Sequence, residues 1–383
     1  MMKELAIYVH IPFCVQKCRY CDFLSGPRHL NKIDEYLDML LIEISQYKDL
    51  IKEYQVRSIF IGGGTPSILN ANQISRVMSA LWDVIGDRVM ENIEVTIESN
   101  PGTLTKEKLK AYQELGINRI SMGLQSTFND ELKNLGRIHT YEEFLEGYRL
   151  ARKAGFQNIN IDLMSGLPTQ SLEKWETTLS RIIELNPEHI SAYSLIIEEG
   201  TNFYEQYGTE EGEKELPSEE LDRLMYQKTK ELLLEAGYKK YEISNYAKPG
   251  YESRHNCSYW TGIDYVGIGL GASSLIQKNR YRNEENMECY LKMLVQNKSV
   301  RQLEETLDRQ SEIEEYMILG LRMMKGVSKT EFFNRFGETM DKKYGEILSR
   351  LKELQLIVEK EDFVSLTEKG IDVSNEIFTM FME

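Results

Sequence analysis

Short apolar runs rich in Ile, Val and Leu alternate along most of the chain with longer stretches in which apolar positions recur every three or four residues. The first pattern predicts buried strands at 5–11, 57–61, 93–98, 119–124, 158–164 and 190–196. The second predicts amphipathic helices at 33–53, 71–84, 106–115, 142–154, 172–185 and 219–236. Gly116 and Gly155 stand just past two of these helices, where a left-handed cap is needed, and each leads directly into the next strand. Six strand–helix units with right-handed crossovers predict an α/β fold, a parallel barrel or an incomplete one of (β/α)6 form.

From about residue 306 the rhythm changes to helices near 312–324, 329–336 and 342–354, strands at 356–359 and 363–366, and a last helix. A helix-turn-helix unit followed by a two-stranded wing predicts a winged-helix-like C-terminal domain. The chain is therefore expected to divide into a barrel with its extension, 1–300, and a helical, winged-helix-like domain, 301–383. The third helix of that domain, KKYGEILSRLKELQ, mixes both signs of charge, which favours a structural or partner-contact role over DNA binding.

The segments that carry polar, Gly and Pro residues all follow strands: CVQKC, GGGTP, ESNPG, GLQS and DLMSGLP after the first five in turn. They define the C-terminal rim of a parallel barrel, where such folds build their sites. With 61 acidic against 46 basic residues the net charge is −15, which argues against a non-specific nucleic-acid binder. The opening MMKELAIYVHIPFC lacks the basic, apolar and small-residue regions of a secretion signal, and no run of about 18 uncharged apolar residues occurs. A cytoplasmic, reducing location is expected, which also suits clustered thiols.

Cys14, Cys18 and Cys21 form a CxxxCxxC spacing inside IYVHIPFCVQKCRYCDF. Three thiolates leave one corner of a cubane 4Fe-4S cluster without a protein ligand, free to bind and polarise a small molecule. Zinc is disfavoured because no second cysteine pair or His-x-x-x-His run follows, and a disulfide because three neighbouring cysteines cannot all pair. Cys257 and Cys289 lie far downstream and read as ordinary packing residues. The string, with Tyr20 before the third cysteine, resembles the radical S-adenosylmethionine superfamily. That resemblance implies that the open iron holds the amino and carboxylate groups of S-adenosylmethionine, whose reductive cleavage yields a 5'-deoxyadenosyl radical.

Gly62, Gly63 and Gly64, followed by Thr65 and Pro66, put backbone amides at a strand end, as a ligand-approach loop or an ordinary tight turn. Glu98, Gln125 and Asp162 stand at or near strand ends, either as acceptors for ribose hydroxyls and a sulfonium or as helix caps. Arg137 offers a guanidinium to a carboxylate or is a solvated surface arginine. Together with Tyr8, His10 and the three cysteines, these positions are similar to the oxygen-independent coproporphyrinogen III oxidase branch, over most of residues 5 to 275. By that resemblance Tyr8, Glu98 and the loop carrying Gly63, Gly64 and Thr65 contact the cluster-bound S-adenosylmethionine. Gln125, Arg137 and Asp162 would line a second S-adenosylmethionine position.

Two departures separate the chain from the oxidases: Phe23 stands where they carry a further cysteine, and their N-terminal extension is not present before the first strand. The run His255-Asn256-Cys257-Ser258-Tyr259-Trp260 instead matches the HNxxYW signature of the HemW-type haem chaperones of this branch. That resemblance implies haem binding and delivery to haem-accepting proteins, respiratory ones among them, with the cluster and S-adenosylmethionine retained. It also implies an electron donor such as a flavodoxin or ferredoxin, and is compatible with peripheral membrane contact. His255 reads either as an axial haem ligand or as a residue that hydrogen-bonds its own loop. Tyr259 and Trp260 either stack on a porphyrin or close a core. Coproporphyrinogen III oxidase, and a radical methylase or cyclopropanase, are the enzyme alternatives.

Overall fold

The computed structural model describes residues 2–382. Its centre is six parallel strands, β1 Lys3–Ile11, β2 Tyr54–Gly63, β3 Val89–Ser99, β4 Arg119–Gln125, β5 Ile159–Ser165 and β6 His189–Ser194, each paired with the next. Helices Ile33–Gln46, Ala71–Ile85, Lys106–Glu114, Tyr141–Ala154 and Leu172–Leu185 make the crossovers. The last four of these start at side-chain caps, Asn70, Thr105, Thr140 and Ser171, with full capping boxes at Asn70/Gln73 and Thr140/Glu143. Gly155 ends its helix in the left-handed conformation, as expected. The single helix expected over 33–53 breaks at Tyr47, where the amide turns back to the Ile44 carbonyl at 3.1 Å and the ring is buried.

The outward residues of the strands, among them Ile59, Ile61, Val95, Ile97, Ile120, Ile161 and Leu163, form one core with the helices. Many inward positions are polar: Ser58, Thr96, Arg119, Ser121, Asn160 and Ser191 are all buried, and Phe60 is an apolar exception. A barrel of this kind is usually filled with branched apolar side chains. Here the interior is built to hold polar atoms.

The sheet is open. Beyond β1 it continues with the parallel strand Asp264–Ile268 and three antiparallel strands, Ser273–Ile276, Asn279–Asn283 and Arg301–Thr306. Beyond β6 come Asn245–Ala247 and Lys239–Lys240. These outer strands escape a periodicity reading because they are short or, like Arg301–Thr306, exposed along almost their whole length. After them a second core gathers Ile313, Met317, Phe332, Leu348, Val364 and Phe381 around helices Arg309–Leu321, Lys329–Phe336 and Met340–Glu353. Strands Val327–Ser328, Phe363–Leu366 and Ile357–Lys360 form its wing, giving the winged-helix-like arrangement.

Candidate functional site

All three clustered cysteines and most of the predicted rim residues line one cavity of about 310 Å³ at the C-terminal ends of β1 to β5. Cys14, Cys18 and Cys21 face Gly63, Gly64, Thr65, Glu98, Gln125, Arg137 and Asp162 across it. The cysteine loop is stitched to the glycine loop by backbone bonds from Gly64 N to Ile11 O (2.8 Å) and from Thr65 N to Phe13 O (2.8 Å). A Cβ at Gly64 would lie 2.7 Å from the Phe13 carbonyl and 3.0 Å from Cys14 Sγ, so only glycine fits there. Gly63 has φ 110°, and a Cβ on it would come within 2.5 Å of the His10 ring.

That ring is itself fixed. Tyr8 Oη and His10 Nδ1 are 2.9 Å apart, and His10 Nε2 meets the Leu24 carbonyl at 3.0 Å, which ties β1 to the far side of the cysteine loop. Thr65 Oγ1 donates to Cys14 Sγ at 3.5 Å and Arg137 Nη1 to Cys18 Sγ at 3.4 Å. Burial pushes the Cys21 thiol up to about 11, so its thiolate form here calls for a bound cation. Among the described residues, no three His, Cys, Asp or Glu side chains converge on a single metal ion.

Glu98 does not cap a helix: it accepts the Gly63 amide at 3.0 Å. Burial first, and Asp162 second, raise its carboxyl to about 8. Asp162 is also raised, chiefly by burial, against hydrogen bonds from Asn160 Nδ2 (2.8 Å) and Ser121 Oγ (3.1 Å). Gln125 follows a register shift in the β4–β5 ladder and has φ 76°, a left-handed conformation rare for a residue with a side chain. That bulge aims Gln125 at the cavity. Arg137 is no solvated surface arginine; besides Cys18 it donates to Asn100 Oδ1 (2.7 Å) and the Gly123 carbonyl.

Tyr8 and His255 lie deeper, on an inner cavity of about 260 Å³ that shares Gly63, Glu98, Ser121, Asp162 and Tyr193 with the outer one. His255 sits in helix Arg254–Trp260 and is 1% exposed. Its Nδ1 is 3.0 Å from Ser58 Oγ and its Nε2 2.9 Å from Tyr259 Oη. Ligation of an iron by either nitrogen requires that one of these bonds be released. Burial, then Arg119, hold the imidazole neutral, with a pKa lowered to about 3. Tyr259 packs edge-on against His255 and Tyr265, while Trp260 carries the Arg322 guanidinium 4.4 Å from its ring centre. Burial raises the Cys257 thiol to about 12, in keeping with a packing role. Cys289 is exposed on a distant helix.

Sequence reasoning did not single out Asn100 and Arg119. Asn100 joins the two halves of the site by donating to Thr65 Oγ1 (2.9 Å) and accepting from Arg137. Arg119 stands on the inner cavity. The available signal was period two along β4, where Arg119, Ser121, Gly123 and Gln125 share the inward face.

Residues 8–182 match the family model of the Radical SAM superfamily, and residues 307–373 that of the HemN C-terminal domain. The chain is 37% identical over its whole length to the Heme chaperone HemW of Lactococcus lactis, covering 98% of it. It is 36% identical to that of Bacillus subtilis, with 98% of each chain aligned. Among solved structures, coproporphyrinogen III oxidase (HemN) from Escherichia coli, a radical SAM enzyme, superposes with a TM-score of 0.85 at 26% identity, over 99% of this chain and 90% of that one. With the cysteine cavity, the glycine loop and the folded HNCSYW helix in place, this likeness along the full length makes the chain a member of the HemW family of heme chaperones, within the radical SAM superfamily.

Proposed function

We propose that this protein binds haem and passes it to haem-accepting proteins, and that it carries a 4Fe-4S cluster and S-adenosylmethionine while doing so. The end-to-end likeness to curated heme chaperones, through both family domains, carries this reading. The cavity fits the cofactors: three sulfurs on one wall, two of them receiving side-chain donors, face amide-rich loops and carboxylates on the other. Cys14, Cys18 and Cys21 would hold three irons, leaving the fourth for the amino and carboxylate groups of S-adenosylmethionine. When bound, the pair supplies an electron and a cleavable sulfonium. The Gly63–Thr65 loop, Tyr8 and Glu98 would orient one S-adenosylmethionine, and Gln125, Arg137 and Asp162 a second.

An oxidase reading draws on the HemN superposition. Phe23, half-exposed on the cavity wall where a further cysteine is expected in the oxidases, speaks against it. Anaerobically reconstituted protein is expected to show a broad visible cluster absorption, to bind haem with a spectral change, and to form no protoporphyrinogen from coproporphyrinogen III. Lack of a haem-dependent spectrum overturns the chaperone reading. 5'-Deoxyadenosine release under reducing conditions, with and without haem, reports whether the sulfonium is cleaved.

A haem-ligating His255 has to let go of Tyr259. If it does, His255→Ala removes the ligand-field bands and Tyr259→Phe preserves them. The partners we assign are haem, acceptors including respiratory proteins, and a flavodoxin- or ferredoxin-type donor, in the cytoplasm. No helix among the described residues is long and apolar enough to cross a membrane.

A further inference from the structure

Arg119 is 2% exposed and stands on the inner cavity, yet its side chain makes no hydrogen bond or ion pair among the described residues, and its buried Nε has no partner. An unpaired charge taken out of water costs several kcal/mol, so such a group persists where it does something else. The two carboxylates that share the cavity do not pair with it. Asp162 spends its oxygens on Asn160 and Ser121, and Glu98 accepts from Gly63 N while its burial favours the neutral form. The histidines whose titration feels Arg119 are committed elsewhere: His189 to Asn160 and Tyr241, His255 to Ser58 and Tyr259. What remains is one buried guanidinium facing a polar cavity of about 260 Å³ that adjoins the cluster cavity.

We propose that the inner cavity is a carboxylate-binding subsite centred on Arg119. A guanidinium presents a planar fork that meets a carboxylate with two parallel hydrogen bonds, and a neutral Glu98 adds a donor to the same place. Gly63, Glu98 and Ser121 line both this cavity and the outer one. The carboxylate is either a free small acid or the propionate arm of a porphyrin held at the rim; the second source rests on the haem reading above.

Cluster-loaded wild-type protein and Arg119→Gln are titrated with sodium propionate by calorimetry, and with haem and haem dimethyl ester by visible spectroscopy. A ten-fold or greater weakening of propionate binding in the variant shows a free acid as occupant. A similar weakening for haem, with the ester bound equally by both proteins, shows a propionate arm. Haem that binds neither protein removes the haem reading alone, and propionate then decides the subsite. The proposal is overturned if the variant changes neither propionate affinity nor the preference for haem over its ester, or if haem and ester weaken equally while propionate does not. Removal of an unpaired cation should leave the melting temperature unchanged or higher. Should Arg119→Gln fail to fold, Arg119→Lys, which keeps the charge and loses the fork, is read in the same way.

Discussion

Gly63 and Gly64 show how closely the site is bound to single atoms. Either Cβ would displace the His10 ring or the cysteine-loop backbone. Gly63→Ala also forces a left-handed residue to carry a side chain, at a cost of roughly 1–2 kcal/mol before any clash. It should lower the melting temperature and weaken S-adenosylmethionine binding in equilibrium dialysis. Cys18→Ser should lose the cluster absorption and any 5'-deoxyadenosine, and retention of either shows the ligand assignment to be wrong. Glu98 carries a pH signature. Burial raises it to about 8, so it is mostly neutral at pH 7 in the unliganded protein, and a sulfonium nearby favours the ionised form. S-Adenosylmethionine affinity is therefore expected to rise as pH climbs from 7 through 8, and Glu98→Gln should remove that slope.

At the scale of elements, the strands were legible where both faces are apolar or where polar inward positions alternate with apolar outward ones, as in β2 to β5. Helix ends were legible through their caps. Thr140 bonds the Glu143 amide while Glu143 returns to the Thr140 amide, on a helix whose start is remote from the cysteines in sequence. Thr140→Ala should cost about 1 kcal/mol in denaturant unfolding while leaving the cluster spectrum intact. Less legible were features that exist only between elements. The bulge before Gln125 is a mismatch of two strands, and Asn100 gains meaning only once Thr65 and Arg137 arrive on either side.

At the scale of the molecule, Glu43 joins regions far apart in the chain. From helix Ile33–Gln46 it accepts from Gly269 N (2.9 Å), Asn283 Nδ2 (2.7 Å) and Tyr290 Oη (2.6 Å), which belong to the extension beyond β1. Burial outweighs these donors and raises its carboxyl to about 7. The folded state then holds this proton more tightly than the unfolded chain. Its stabilising effect is complete below about pH 4.5 and fades as pH rises to about 7, by an amount on the order of 3 kcal/mol. Glu43→Gln should unfold more easily at pH 5, where its amide meets donors, yet show a shallower loss of stability between pH 5 and 7.

The linear order of residues was enough to determine the βα rhythm, the rim placement of the chemical segments, the CxxxCxxC spacing of the three cysteines, and the HNCSYW match, because each is written in local spacing or adjacent letters. Only the tertiary structure decided that the sheet stays open, that Arg301–Thr306 joins it, and that the barrel is polar inside. It alone placed His255 between Ser58 and Tyr259 and left the buried Nε of Arg119 without a partner among the described residues. Partnership between residues brought together from distant strands depends on sheet order and strand register. Neither is encoded in any one segment.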